Sequence, residues 1–300
     1  MSGSSRVRGI ERPPEGELLV VVGPTASGKT DLAIELAEGF GGEVVGADSV
    51  QIYREFNIGS GKPTSAERAR APHHLVDLFD PLDVIDAQRY AELASEAIES
   101  IRSRGRVPIV CGGAFLWVKA LVWGLAKLPA GSPEVRAAHE ALVRQGGRAA
   151  LHTRLAEVDP ESAARLSPND YVRVSRALEV YELSGKPQSA WHAEHSFRGV
   201  KHNARLIGVD RGREELDRRI EARTRAWLEE GFIDEVRSLI ERGYRDARAM
   251  GSVGYKQVLD HLEGRLPAEE LHPAIVRATR VFVRRQRTWL RDQPVMYVPG

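Results

Sequence analysis

The octapeptide Gly23-Pro-Thr-Ala-Ser-Gly-Lys-Thr30 constrains this chain more than any other feature. It follows the short apolar run Leu18-Leu-Val-Val-Val22 and precedes a helical pattern that reaches Gly39. Glycines let the backbone curl so that successive N–H groups point inward, and the helix that starts there adds its positive end. Such a cradle takes phosphate groups. Gly23, Thr25, Ala26, Ser27, Gly28, Lys29 and Thr30 are therefore the candidate phosphate-binding residues. Lys29 supplies a mobile point charge, and Thr30 offers a hydroxyl to Mg²⁺. The motif specifies a polyphosphate without saying which.

The apolar runs that follow have the texture of buried parallel strands: Glu43-Val-Val-Gly-Ala47, His74-Leu-Val76, Val107-Pro-Ile-Val-Cys111 and Arg205-Leu-Ile-Gly-Val-Asp210. Helical spacing over Ala87–Arg104 lies between two of them, and alternation of this kind predicts a parallel α/β sheet. From about Leu128 strand signals vanish until Ala204, and breakers such as Pro129-Ala-Gly-Ser-Pro133, Gly146-Gly147 and Ser184-Gly-Lys-Pro187 divide a helical stretch. The expected architecture is a P-loop NTPase-like parallel sheet core with an inserted helical domain and C-terminal helices. Its parts are a disordered tail over 1–17, core over 18–128, helical insertion over 129–202, and a return strand with basic helices over 203–300. The last two helices are expected at Arg213–Arg242 and Leu271–Arg291.

Composition narrows the class by exclusion. The 43 basic and 42 acidic residues leave a net charge of +1, so any nucleic-acid surface must be local. Cys111 is the single cysteine, which excludes an intrachain disulfide and suits a reducing compartment. Residues Met1–Glu17 contain no apolar segment of signal-peptide type, and no apolar run is long enough to span a bilayer. A cytoplasmic monomer is expected. His73-His74 have no ligand partners at recognisable spacing, so no zinc site is predicted, and Trp123, Trp191 and Trp227 are read as packing residues.

A P-loop hydrolase commonly carries an Mg²⁺-holding Asp at the end of an apolar strand. Here the clearest later strand ends in Gly112-Gly113, and the carboxylate stands instead after the second strand, at Asp48. The C-terminal edge of a parallel sheet is where ligands bind. Asp48 is expected to face the phosphates from a neighbouring strand as a base or hydrogen-bond acceptor toward an acceptor substrate. The competing reading is a cap on the next turn.

Val276–Arg291 holds six arginines and no acid. Arg277, Arg280, Arg284, Arg287 and Arg291 are spaced three, four, three, four, one stripe on a helix, with Ile275, Ala278, Phe282 and Trp289 expected to pack on the other side. Guanidinium groups in a row suit an RNA backbone; ion pairs with Glu214, Glu215 or Glu221 are the alternative. Arg173 and Arg176 share a second helical face, with pairing to Asp170 or Glu179 as the alternative there.

Together these segments carry a resemblance. The loop Gly23–Thr30, Ala47-Asp-Ser-Val-Gln-Ile-Tyr53, Ile58-Gly-Ser-Gly-Lys-Pro63, Pro72-His-His-Leu-Val-Asp77, Ser132-Pro-Glu-Val-Arg136, Pro168-Asn-Asp170 with Arg176-Ala-Leu-Glu179, Gly254-Tyr255, Thr279-Arg280 and Arg285-Gln-Arg-Thr-Trp-Leu-Arg291 occur in the order found in bacterial tRNA dimethylallyltransferases. The resemblance implies transfer of a dimethylallyl group from dimethylallyl diphosphate to N6 of adenosine 37 in tRNAs reading U-starting codons, with Mg²⁺ and release of diphosphate. It implies Asp48 as the catalytic residue. It also implies tRNA contacts from Asp48, Ser49, Val50, Gln51, Ala114, Arg136, Val172, Arg173, Val174, Ser175, Arg176, Arg280, Arg284, Arg285, Gln286 and Arg287. Ala114 departs from the Thr usual in that family, Trp117 from a Tyr, and Phe56-Asn57 from Met-Asp. Two other activities fit the P-loop: a kinase of a small metabolite or nucleoside, and prenyl transfer to free adenine nucleotides. The arginine stripe favours a macromolecular acceptor over both.

Overall fold

The computed structural model describes residues 9–195 and 201–300. The chain divides into two compact units, Met1–Val122 with Lys201–Gly300, and Trp123–Val200.

The first unit is built on six parallel strands in the order β3-β2-β4-β1-β5-β6. They are β1 (Leu18–Val22), β2 (Gly42–Ala47), β3 (His73–His74), β4 (Val107–Gly112), β5 (Ala204–Asp210) and β6 (Val295–Pro299). Every residue of β1 is fully buried, because both faces of the central strand are covered. On one face α1 (Lys29–Phe40) packs Leu32, Ala33, Ile34, Leu36 and Ala37 onto Leu19, Val21, Ile109 and Ile207. Each such fully buried Val, Leu or Ile contributes about 1.5–3 kcal/mol. On the sheet's β2–β4 side lies α3 (Ala87–Ser103), whose first turn is capped by Asp86 accepting from the Arg89 N–H at 2.8 Å. Two further helices, α2 (Ser65–Arg70) and α4 (Phe115–Trp123), complete the first pass of the chain through this unit.

The second unit contains α5 (Pro133–Val158), α6 (Pro160–Arg165), α7 (Tyr171–Ser184) and α8 (Gln188–His195). Gly147, at φ 73°, kinks α5 where a break is expected from the paired glycines. Leu151, Leu155, Ala163, Val174, Ala177 and Leu178 form its core. The buried Asp159 carboxylate ties the unit by accepting from the backbone N–H groups of Ser162 and Ser189, each at 3.0 Å.

After β5 the chain forms α9 (Arg213–Glu229), α10 (Phe232–Glu241), α11 (Tyr255–Leu262) and α12 (Ala268–Arg291). Four expectations need correction. The helix expected over Arg213–Arg242 is two, because Gly231 adopts φ 95° between them. The strand expected at His74–Val76 stops at His74, because Leu75 and Asp77 hold φ 58° and 56° and turn the chain out of the sheet. β6 was not expected at all, although Val295-Met-Tyr-Val298 is a short apolar run; it is an edge strand with Val298 as its one buried residue. The tail expected over 1–17 is ordered in its second half. Ile10 is buried in the α1 core, and Glu17 pairs with Arg205 of β5. The expectation for residues 1–8 lies outside the described residues.

Candidate active site

The loop between β1 and α1 curls as its glycines predict. Gly28 sits at φ 91° and Ala26 at φ 66°, and a Cβ on Gly23 would come within 2.7 Å of the Ser27 hydroxyl. Lys29 and Thr30 open α1, so their N–H groups have no intrahelical partner and remain for a ligand. The Arg211 guanidinium braces the loop from behind, donating to the Ser27 carbonyl at 2.6 Å.

Asp48 follows β2, and here the expectation of an adjacent strand is wrong in detail. β4 lies between β2 and β1, so Asp48 is one strand further from the loop. The pair Gly112-Gly113 at the end of β4 makes the reach possible. A Cβ on Gly112 would overlap the Ala47 carbonyl, and one on Gly113 would lie 2.6 Å from the Gln286 amide nitrogen. The two glycines thus let β2 and α12 pack tightly against the end of β4.

The turn-cap reading of Asp48 accounts for one of its two oxygens. Oδ1 accepts from the N–H groups of Val50 at 2.9 Å and Gln51 at 3.2 Å, which fixes the turn after β2. Oδ2 has no hydrogen bond to the protein among the described residues and is left to the cavity. Two cavities meet at this carboxylate. The first, of about 220 Å³, is lined by the loop residues Thr25–Thr30 except Ser27, together with Asp31, Asp48, Ser60, Gly61, Cys111, Arg219 and Arg223. The second, of about 310 Å³, is lined by Asp48, Ser49, Val50, Ala114, Trp227, Ser252, Val253, Phe282 and Gln286. Thr25, Lys29, Asp48, Ser60 and Arg223 belong to both walls, so the two spaces adjoin across the carboxylate.

Charge in this place is concentrated. Burial pushes the Lys29 ammonium below its ordinary value, opposed by Asp48 and reinforced by Arg223. Burial lowers Arg223 to about 10, again opposed by Asp48, so this guanidinium is a cation at neutral pH. The Arg223 Nε is buried without a hydrogen-bond partner, while its guanidinium lies 4.5 Å from the centre of the Trp227 ring. A half-buried arginine with a buried spare donor beside a phosphate loop is a ready anion ligand. Burial pushes the Cys111 thiol up to about 11, which makes it an inert wall residue.

Arg223 was missing from the expected site, and so was Trp227 as a cavity residue. The signal was in α9: Leu216, Ile220 and Thr224 are its buried stripe, and Arg223 and Trp227 fall along that stripe. An arginine on a packing face is the exception that marks a function. The loop at Ile58–Gly61 was also missed. Glu235 of α10 holds it by accepting from the N–H groups of Asn57 at 3.2 Å and Ile58 at 2.8 Å. Gln51 closes against the same loop, donating to the carbonyls of Ser60 at 3.0 Å and Gly61 at 2.9 Å. Its amide nitrogen is therefore not free for RNA. Ser49 is exposed, with its hydroxyl on the second cavity, where Ala114 supplies none.

The expected RNA contacts divide sharply. Arg280 is taken by α9, pairing with Asp217 at 3.0 Å and Glu221 at 2.8 Å, and Arg277 pairs with Glu270. Arg284, Arg285 and Arg287 are exposed on α12. Gln286 between them is buried, and it points inward, not at solvent. Phe282 is 39% exposed on the rim of the second cavity instead of packing. The packed face of α12 is Leu271, Ile275, Val276, Thr279, Val283, Gln286 and Leu290. Trp289 stacks on Phe115, ring centres 4.2 Å apart.

In the helical unit, Val174 and Ser175 are buried, so the expected RNA contact there is corrected to a core role. Ser175 hydrogen-bonds His139 at 2.9 Å. Arg136 and Arg176 converge on the fully buried Glu179 at 3.0 and 2.6 Å, and Arg173 pairs with Asp170 at 2.6 Å. The alternative weighed for these arginines is the one observed. Val172 is 74% exposed beside Arg173.

A metal fits where the sequence places it. Thr30 and Asp31 give the first cavity oxygen donors of the kind Mg²⁺ takes alongside phosphate. Among the described residues no group of three or more His, Cys, Asp or Glu could hold an ion by itself, and no helix is long and apolar enough to cross a membrane.

A parallel sheet with a phosphate loop at its carboxyl edge, and a carboxylate shared by two adjoining cavities, defines a P-loop group-transfer enzyme. Residues 51–293 match the IPP transferase family, and the chain belongs to it. It is 74% identical over 289 residues to a tRNA dimethylallyltransferase of Sorangium cellulosum, covering 96% of this chain and 92% of that one. A tRNA dimethylallyltransferase of Geobacter sulfurreducens is 45% identical, with 93% and 90% covered. Among solved structures, a tRNA isopentenylpyrophosphate transferase from Bacillus halodurans superposes with a TM-score of 0.70 at 36% identity, over 95% of this chain and 90% of that one. A eukaryotic dimethylallyltransferase acting on tRNA superposes with a TM-score of 0.77 at 26% identity, over 94% and 74%.

Proposed function

We propose that this chain transfers a dimethylallyl group from dimethylallyl diphosphate to N6 of adenosine 37 in tRNAs that read U-starting codons. One observation carries the reading: Asp48 stands on the shared wall of two adjoining cavities, one built for phosphate and one with an aromatic and apolar lining. The N–H groups of Lys29 and Thr30, the Lys29 ammonium and the Arg223 guanidinium hold the diphosphate. Thr30 would hold Mg²⁺ there, and the bound ion neutralises charge on the leaving diphosphate. A base taken out of its stack enters the second cavity between Val50, Ala114, Trp227 and Phe282. Asp48 Oδ2 accepts the N6 proton as the N6–C1 bond forms and the C1–O bond to diphosphate breaks. Exposed Arg284, Arg285 and Arg287 hold the RNA backbone, and Arg173 with Val172 offers a second contact in the helical unit. In this reading the chain acts as a monomer, and a tRNA substrate supports a cytoplasmic place.

The test uses labelled dimethylallyl diphosphate with Mg²⁺ and, in separate arms, unmodified tRNA, AMP and ATP. Label entering tRNA alone is expected. Label entering AMP or ATP would transfer the assignment to free nucleotides, and phosphate passing from ATP to a small acceptor would replace it with a kinase.

A further inference from the structure

Gln286 sits between two arginines that face solvent, yet it is 4% exposed and turned into the molecule. Its Oε1 accepts from the Thr25 N–H at 2.9 Å, and its Nε2 donates to the Gly113 carbonyl at 3.1 Å. Only this orientation of the amide satisfies both partners, since one is a donor and the other an acceptor. Thr25 belongs to the phosphate loop and Gly113 to the end of β4, the strand between the loop and Asp48. One side chain of α12 therefore spans the gap across which the reaction must run.

We infer that Gln286 is a positioning residue for the phosphate loop, and not an RNA contact. The Thr25 N–H is spent on Gln286. The Ser27 N–H is spent within the loop on the Pro24 carbonyl at 3.3 Å. The remaining loop amides converge on one anion because the loop's first bend is pinned at Thr25. Among the described residues the Thr25 N–H has no other partner, and α12 is the element that reaches it. The glycine at 113 belongs to the same device, because a Cβ there would lie 2.6 Å from the Gln286 nitrogen and push the amide off both partners. The length of the tie matters as well as its chemistry, since a shorter side chain from the same helix position falls short of Thr25.

The inference rests on the assignment of the first cavity to a diphosphate, and the experiment separates the two. The full chain is titrated with inorganic pyrophosphate in Mg²⁺ by calorimetry, and steady-state prenyl transfer to tRNA is measured in parallel. Gln286→Met keeps length and volume and removes both hydrogen bonds. Gly113→Ala disturbs the same tie from the other side. Ile275→Ala, buried about three turns earlier on α12, controls for loss of packing alone. Pyrophosphate should bind both Gln286→Met and Gly113→Ala about tenfold more weakly than wild type, the worth of about one net hydrogen bond. KM for dimethylallyl diphosphate should rise in step, with KM for tRNA unchanged and Ile275→Ala like wild type in both. Wild-type pyrophosphate affinity in Gln286→Met, or a loss confined to KM for tRNA, overturns the inference while leaving the site intact. Failure of the wild-type chain to bind pyrophosphate overturns the site assignment and this inference together.

Discussion

Replacing Asp48 by Asn isolates the chemistry from the fold. Oδ1 holds the turn through the Val50 and Gln51 amides, and an Asn carbonyl can take both bonds in its place. That leaves the Asn NH₂ where Oδ2 stood, so the cavity receives a donor in place of an acceptor. A positioned base contributes about 10²–10⁴ in rate, so kcat should fall about 10³-fold, or about 4 kcal/mol of barrier. Binding should respond in the opposite sense. The Asp48 charge opposes the lowering of both Lys29 and Arg223, and it would repel a diphosphate placed between them. Pyrophosphate affinity in Asp48→Asn is therefore expected to equal or exceed that of wild type. Single-turnover transfer of label to tRNA gives the rate, and titration with Mg²⁺ and pyrophosphate gives the affinity. A rate within about threefold of wild type would remove Asp48 as the base, since that lies well below the contribution of a base. Asp48→Ala makes the contrast: it loses the two turn hydrogen bonds as well, so its melting temperature should fall where that of Asp48→Asn does not.

Further outcomes follow from the same geometry. Arg284→Gln with Arg287→Gln should weaken tRNA binding and reduce its salt dependence by about two charges' worth, read from affinity against salt concentration, with pyrophosphate binding unchanged. Arg280→Gln, whose guanidinium is already paired with Asp217 and Glu221, should cost about 0.2–1 kcal/mol of stability and leave the salt slope nearly as it was; an equal loss of slope would show that those pairs open for RNA. Burial opposes ionisation of Glu179, but Arg176, Arg136 and the Ser132 N–H outweigh it and hold the carboxyl below the ordinary glutamate range. A depressed pKa stabilises the fold above the unfolded value of about 4.3, and that contribution is lost as pH falls through the folded value. Thermal melts should thus show the helical unit weakening from about pH 4 downward, and Arg176→Ala should destabilise it by roughly 1–3 kcal/mol at pH 7 and flatten the acid dependence. Ala114→Thr places a hydroxyl just before α4, where a cap adds about 0.5–2 kcal/mol; a rise in melting temperature checks it.

The central strands and the phosphate loop were legible because their signals are local. An apolar β-branched run before a Gly-rich turn needs no distant partner to be read. Asp48 was legible for the same reason, as the residue that ends a strand. What escaped depends on residues far apart in the chain. Strand order placed β4 between Asp48 and the loop, and no spacing within β2 announces that. The arginine stripe of α12 was read correctly as periodic, yet the sequence could not tell Arg280, held by α9, from Arg284, which is not. Gln286 shares its motif with exposed arginines, and only the packed face of the helix shows that it turns inward. Arg136 and Arg176 of the helical unit were ambiguous until Glu179 proved to be fully enclosed. β6 was overlooked although Val295-Met-Tyr-Val298 is apolar and β-prone, because the run is only four residues long.

The place of β4 in the sheet has a metric consequence. Neighbouring strands are about 4.8 Å apart, so a carboxylate two strands from the phosphate loop stands about 9–10 Å away in the plane of the sheet. A carboxylate on the adjacent strand would reach the metal and phosphates and little more, which suits hydrolysis by water. The longer interval is wide enough for a diphosphate, the carbon it carries and the nitrogen that takes it. The sheet thus acts as a ruler, and its strand order measures out room for two substrates where a hydrolase would need room for one.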